Sequence, residues 1–245
     1  MSDIQTQAKR ADGRAFDATR EIRFERGFPS QAPGAVLSCF GDTQVLCTAS
    51  FQESVPMWMK GKGKGWLTAE YSMLPGSTDR RKPRDRAGKV DGRSVEIQRL
   101  IGRSLRAAMD FELLGERTIW VDCDVLKADG GTRTAAISGA YVAIYDCLMA
   151  MGEKRLLRAF PMTTQVGAVS VGVVDGAVTC DLCYVEDAAA EVDMNLVMTG
   201  EGEFIEVQGS AEGKTFSRDQ LNRMLEVGEA GIRHIFDVQR AALGG

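Results

Sequence analysis

The chain has 245 residues, 44% of them apolar and 26% charged, with a formal net charge of −4. That composition supplies a sizeable core and excludes global disorder, and the negative balance excludes a globally basic nucleic-acid coat. A single histidine, His234, excludes a His-based catalytic triad and a multi-histidine metal site.

Residues 1–20 are polar, with a turn at Asp12-Gly13-Arg14. Two β-prone runs, 34–40 and 44–50, are joined by Gly41-Asp42-Thr43 and predict a hairpin. Residues 53–93 lack a regular pattern and are rich in Gly, Lys and Arg. A helix is predicted from near Ser94, with Val95, Ile97, Leu100, Ile101, Leu105, Ala108 and Met109 at helical spacing. Residues 119–126 read as a strand, Asp129-Gly130-Gly131-Thr132 as a turn, and 135–151 as an apolar, buried helix. A second hairpin is predicted from 166–174 and 177–185 across Asp175-Gly176, and 204–207 adds a short strand. Ser217-Arg-Asp-Gln220 fits a capping box ahead of a helix carrying Leu221, Met224, Leu225, Ile232, Ile235 and Phe236. Hairpin-then-helix thus occurs twice, which predicts an α+β fold of two similar lobes with a boundary near 153–161.

Six cysteines, Cys39, Cys47, Cys123, Cys147, Cys180 and Cys183, mostly sit in apolar runs and read as small buried hydrophobes of a reducing compartment. The Cys180-Asp-Leu-Cys183 pair lacks a second ligand pair, and on a strand its two thiols would face opposite ways. The opening Met1-Ser-Asp-Ile is polar, and no apolar run approaches the ~20 residues of a membrane span. The expected setting is the cytoplasm.

Charge is unevenly placed. Residues 60–93 carry a net +6, while 181–212 contain nine acids and no Lys or Arg. The basic run reads either as a solvated loop or as a grip on a polyanion. The glycine interleaving in Lys60-Gly-Lys-Gly-Lys-Gly-Trp66 favours close approach of backbone to phosphate, and Trp66 and Tyr71 are candidates for base stacking or for core packing. Among the acids, Asp187 and Asp193 flank an apolar run where unpaired charge is costly, and two such carboxylates suit a Mg²⁺ ion.

Asp129-Gly-Gly-Thr-Arg-Thr134 is the sharpest local motif. It reads as a phosphate cradle, in which a helix N-terminus offers N–H donors, Thr132 a hydroxyl and Arg133 a planar cation. The plainer alternative is a strand–turn–helix joint with Thr132 as N-cap. Asp91-Gly92-Arg93-Ser94 is a second glycine-led helix start bearing an arginine, and this pair of helix starts could pinch one phosphate.

Four segments carry a family resemblance: Gly63-Lys-Gly-Trp-Leu-Thr-Ala-Glu-Tyr-Ser-Met-Leu-Pro75, Gly92-Arg-Ser-Val-Glu-Ile-Gln-Arg-Leu-Ile-Gly-Arg103, Asp122-Cys-Asp-Val-Leu-Lys-Ala-Asp-Gly-Gly-Thr-Arg-Thr134 and Tyr184-Val-Glu-Asp-Ala-Ala-Ala-Glu-Val-Asp-Met-Asn195. In this order they resemble the ribonuclease PH family, from about Lys9 to the C-terminus. The resemblance implies the two-lobed α+β fold shared with polynucleotide phosphorylase and the exosome ring, with lobes at 1–155 and 156–245. It implies a phosphate-dependent 3′→5′ exoribonuclease that trims tRNA precursors to nucleoside 5′-diphosphates, reversibly, as a homohexamer (a trimer of dimers). It places phosphate ligands on Arg93, Gly131, Thr132 and Arg133, and an essential acidic pair, with Mg²⁺ or another divalent cation, on Asp187 and Asp193. It places tRNA-gripping arginines on Arg81 and Arg84, with Arg80 beside them. One departure is Gly76, which follows Leu74-Pro75 where the family commonly has arginine. The rival readings are a hydrolytic metal-dependent nuclease and a non-catalytic RNA-binding ring subunit.

Overall fold

The computed structural model describes residues 10, 12–84, 91–211 and 213–245. A five-stranded sheet has the order β1-β2-β3-β5-β4 and a four-stranded sheet the order β7-β6-β8-β9. The first is built from β1 (Ile22–Arg26), β2 (Gly34–Phe40), β3 (Thr43–Gln52), β4 (Trp66–Met73) and β5 (Thr118–Lys127). The second is built from β6 (Val166–Val174), β7 (Ala177–Cys180), β8 (Val192–Thr199) and β9 (Phe204–Ala211). Helices α1 (Gly92–Arg106), α2 (Phe111–Leu114), α3 (Thr132–Glu153), α4 (Tyr184–Ala189) and α5 (Arg218–Leu243) complete the chain.

Alternation decides the faces of the first sheet. Leu67, Ala69 and Tyr71 of β4 and Val121, Cys123 and Val125 of β5 are buried, while Glu70, Asp122 and Asp124 point the other way. The buried face is covered by α1 and α3. Helix α3 also packs against β6, so it lies between the two sheets. Its Ser138 closes the backbone of β6, donating to the carbonyl of Ala168 at 3.4 Å and accepting from its N–H at 3.1 Å. Helix α3 is long and apolar enough to cross a membrane by length and composition alone, but 72% of that stretch is buried in the protein. Helix α5 covers the second sheet, capped at Ser217 by the expected capping box.

Several readings change. The strand expected over 177–185 ends at Cys180, because Asp181 turns into the left-handed region (φ 51°) and a helix starts at Tyr184. The stretch 53–93 holds a regular strand, β4, at the edge of its sheet and parallel to β5. The N-cap of α3 is Gly131 (φ 61°), not Thr132, which is the first helical residue. Strand β1, with only Ile22 and Phe24 buried, directly follows the polar opening stretch.

Candidate active site

The site grows from the C-terminal ends of β4 and β5. Strand β5 leads through Asp129-Gly130-Gly131 into α3. Because Gly131 has no side chain, no side chain caps α3, and the first-turn N–H groups keep their positive end of the helix dipole. Helix α1 differs: the Asp91 carboxylate accepts from the N–H of Arg93 at 3.3 Å and from Lys82 Nζ at 2.7 Å, so its N-terminus already carries an anion. The N-termini of α1 and α3 are therefore unequal, and α3 is the better anion site.

Tyr71 ties the end of β4 to the first turn of α3. Its hydroxyl hydrogen-bonds Thr132 Oγ1 at 2.8 Å, and both side chains are buried. Burial pushes the phenol above its usual pKa, and the Thr132 hydrogen bond and the positive charges of Arg93 and Arg133 pull against that. Arg133 also reaches Gln208 Oε1 on β9 at 3.0 Å and Glu96 Oε1 on α1 at 3.4 Å, both through Nη1. Tyr71 is a core residue here, not a base-stacking one. Its signal in the sequence was its in-phase position with Leu67 and Ala69.

The start of α4, which follows β7 of the second sheet, lies against the Asp129-Gly130-Gly131 turn. A Cβ on Gly130 would lie 2.5 Å from the Leu182 carbonyl oxygen and 2.9 Å from Tyr184 N, so only glycine lets the turn lie against the start of α4. Asp129 Oδ1 accepts from Tyr184 N at 3.1 Å across this seam. Asp187 lies one turn along α4 from Tyr184 and is exposed; Asp193 is half-buried near the start of β8, in register with Gly172 and Ser210. Among the described residues no group of three or more His, Cys, Asp or Glu forms a metal cluster. Burial pushes the Cys180 thiol up to about 12 and raises Cys183 as well.

Beneath α4 lies a buried ionic core. Arg10 grips Glu186 through two hydrogen bonds, 2.6 and 2.5 Å, and Arg20 grips Asp181. Burial works against the Glu186 charge, but Arg10 and the Cys183 N–H hold its carboxyl below the usual range. For Arg20, too, burial opposes the charge and Asp181 more than restores it, raising the guanidinium further. These arginines lie in the stretch that reads as polar with one turn, and only their pairing with buried carboxylates far along the chain gives them away.

The basic run is not one patch. Strand β4 separates the Lys60–Gly65 stretch from Arg80, Arg81 and Arg84; seven strand steps span roughly 23 Å. At the far end, Gly61 (φ 78°) and Gly63 (φ 68°) serve turns, Lys64 pairs with Glu112 at 3.0 Å, and Lys62 lies over the Trp58 ring. The glycines there shape a loop and do not approach the cradle. Arg80, Arg81 and Arg84 follow the site end of β4 and lie at the surface. Arg81 and Arg84 line a shallow groove of about 460 Å³ with Leu74, Pro75, Gly76 and Leu126. Open space surrounds Gly76, so the missing side chain there leaves the groove wider. Asp85, Arg86, Lys89 and Glu212, counted in the charge runs, lie outside the described residues.

An uncapped helix end flanked by arginines, set against a carboxylate-bearing helix, is a place to hold phosphate beside a phosphodiester. Comparison with known proteins gives the family. The model of the 3′ exoribonuclease family, domain 1, matches residues 18–150, and that of domain 2 matches 164–231. Ribonuclease PH of Corynebacterium efficiens is 54% identical over 240 residues, covering 98% of this chain and 98% of its own. Ribonuclease PH of a Synechococcus species is 56% identical over 238 residues, covering 96% and 97%. An Archaeoglobus fulgidus exosome with RNA bound to the active site superposes with a TM-score of 0.79 at 21% identity, over 94% of this chain and 92% of the other. Rice Rrp46 does so at 0.77 and 20%, over 96% and 100%. The chain belongs to the 3′ exoribonuclease family, in its two-lobed α+β fold. Its activity is phosphorolytic: it removes nucleotides from RNA 3′ ends.

Proposed function

We propose that this chain trims the 3′ ends of tRNA precursors in the cytoplasm, holding inorganic phosphate at the first turn of α3 with Arg93, Gly131, Thr132 and Arg133. The observation that carries this reading is the uncapped N-terminus of α3, with Arg133 in its first turn and α4 seated against the same turn. In this reading residues 1–155 supply the arginines and residues 156–245 the acidic pair.

The held phosphate is the nucleophile and is already an anion at neutral pH, so the chain needs no histidine base. Arg93, Arg133 and the α3 donors orient it in line with the terminal phosphodiester. A phosphate oxygen bonds to the scissile phosphorus, the bond to the 3′ oxygen breaks, and that oxygen leaves with the proton that the attacking hydrogen phosphate gives up. The product is a nucleoside 5′-diphosphate. Replacing one phosphodiester by one phosphoanhydride leaves the reaction readily reversible.

Asp187 and Asp193 offer oxygen donors only, and two carboxylates with water or RNA oxygens suit Mg²⁺. When bound there, the cation neutralises negative charge on the phosphoryl group. The ring reading, a homohexamer, rests on the family and on the acidity of a single chain that must hold a polyanion. The rival non-catalytic ring subunit would have no use for an arginine set and a carboxylate pair at one seam.

Asp187→Asn and Asp193→Asn test the acidic pair. Each is expected to lower kcat by at least about a hundredfold, the scale of removing one group that stabilises transition-state charge, with folding and tRNA affinity retained. Near-normal turnover in both variants would refute the assignment.

A further inference from the structure

Arg20 reaches both halves of the site. Its backbone N–H donates to Asp181 Oδ2 at 2.7 Å, its Nε to the same oxygen at 3.0 Å, and its Nη2 to Oδ1 at 2.7 Å. Its remaining nitrogen, Nη1, donates to the carbonyl of Asp129 at 2.5 Å. A Cβ on Gly131 would lie 2.9 Å from Arg20 Nη2, so the guanidinium lies directly against the phosphate turn. Asp181 is fully buried, in the left-handed conformation, two residues before the N-cap of α4. One planar cation therefore joins the start of the phosphate turn to the start of the carboxylate helix. Arg10 and Arg14 approach Asp181 and Glu186 as well, but their bonds go to those residues, Asp12, Ala18 and Cys180, not to the turn.

A buried ion pair is weak evidence for stability, because desolvation consumes much of its Coulombic gain. Its geometry is informative here. The fork of a guanidinium can satisfy a carboxylate on one side and a carbonyl on another; an ammonium cannot hold both at fixed angles. Asp129 adds a second tie through Tyr184 N at 3.1 Å.

We propose that Arg20 is a positioning residue: it fixes the phosphate turn relative to α4, so that the bound phosphate is presented to the acidic pair at a set distance. The inference rests on the phosphate-site reading above.

The test uses the full chain and a short oligoribonucleotide, with initial rates measured over a range of inorganic phosphate. Arg20→Lys keeps the charge and loses the fork. It is expected to raise the KM for phosphate about tenfold, within the range that small misplacement of a reacting group costs, and to lower kcat, with tRNA Kd unchanged. Arg14→Ala, which loosens the same ionic core without touching the turn, is expected to lower the melting temperature and leave the KM for phosphate unchanged. Should Arg20→Lys fail to fold, Asp129→Ala cuts the second tie at a partly exposed side chain and is expected to raise the same KM severalfold. An unchanged phosphate KM in folded Arg20→Lys, or in Asp129→Ala if the lysine variant does not fold, overturns the proposal. So does an equal rise in Arg14→Ala, which would make the effect general loosening. Arg133→Ala separates the two levels: an unchanged phosphate KM there sinks the site reading itself, whereas a raised KM there with normal Arg20→Lys sinks only the positioning role.

Discussion

Tyr71 shows how a single hydroxyl sets the site. Its hydrogen bond to Thr132 is buried, so removing it strands a polar atom. Tyr71→Phe is expected to cost about 1–3 kcal/mol of stability, read from urea unfolding, and to raise the KM for phosphate, because Thr132 begins the helix proposed to hold it. A variant with wild-type stability and KM would mean the hydroxyl is incidental. At this scale the sequence was uneven in what it disclosed. Arg93, Thr132 and Arg133 stood out as candidates, since glycine-led turns before helices suit anions. Arg20 and Asp181 were not, because they are 161 positions apart and neither stands in a local motif.

Among elements, β4 and α4 teach the most. Strand β4 alternates cleanly, Leu67, Ala69 and Tyr71 in and Thr68, Glu70 and Ser72 facing outward, yet a Gly- and Lys-rich loop on one side and an Arg-rich loop on the other hide it. Helix α4 overrides the β preference of Tyr184 and Val185. Glu186 reaches back to the N–H of Cys183 at 3.0 Å, a capping box with cysteine where serine or threonine is usual. The outward face of the first sheet carries a strain of its own. Glu70 lies opposite Asp122, and Asp124 is two residues on. Burial, then Glu70 and Asp124, raises the Asp122 carboxyl above its usual value, and burial and Glu70 do the same to Asp124. A carboxyl whose pKa is raised by folding favours the folded state when protonated, so that stability is lost as pH rises through the raised value. Asp122→Asn is therefore expected to stabilise at pH 7, by roughly 0.5 kcal/mol, the scale of a cross-strand like-charge pair. The gain should fade as the medium is acidified below the ordinary carboxylate range. Thermal melts at both pH values check this; an equal gain at each would remove the electrostatic cause.

For the whole molecule, acidity and RNA binding must be reconciled. Splitting the basic run by β4 leaves Arg80, Arg81 and Arg84 as the described arginines of that run just beyond the site end of the strand. A ring that gathers several such groups would hold tRNA without changing the charge per chain. Arg81→Ala with Arg84→Ala is expected to weaken tRNA binding and to reduce the slope of log Kd against log salt by about 2, near one for each phosphate no longer neutralised. Cleavage of a very short oligonucleotide, which reaches only the cradle, should survive. Equal loss on short and long substrates would erase this division of labour. Two lobes and their hairpins were legible from pattern; how the turn of one lobe meets the helix of the other was not, since that meeting depends on Gly130 lying against Tyr184.

The most direct test of the account follows the phosphate itself. Incubating the enzyme with RNA and isotopically labelled inorganic phosphate should give nucleoside 5′-diphosphates labelled in the β-phosphate, at a rate that vanishes when phosphate is removed. Unlabelled nucleoside monophosphates, released as fast in phosphate-free buffer, would contradict it.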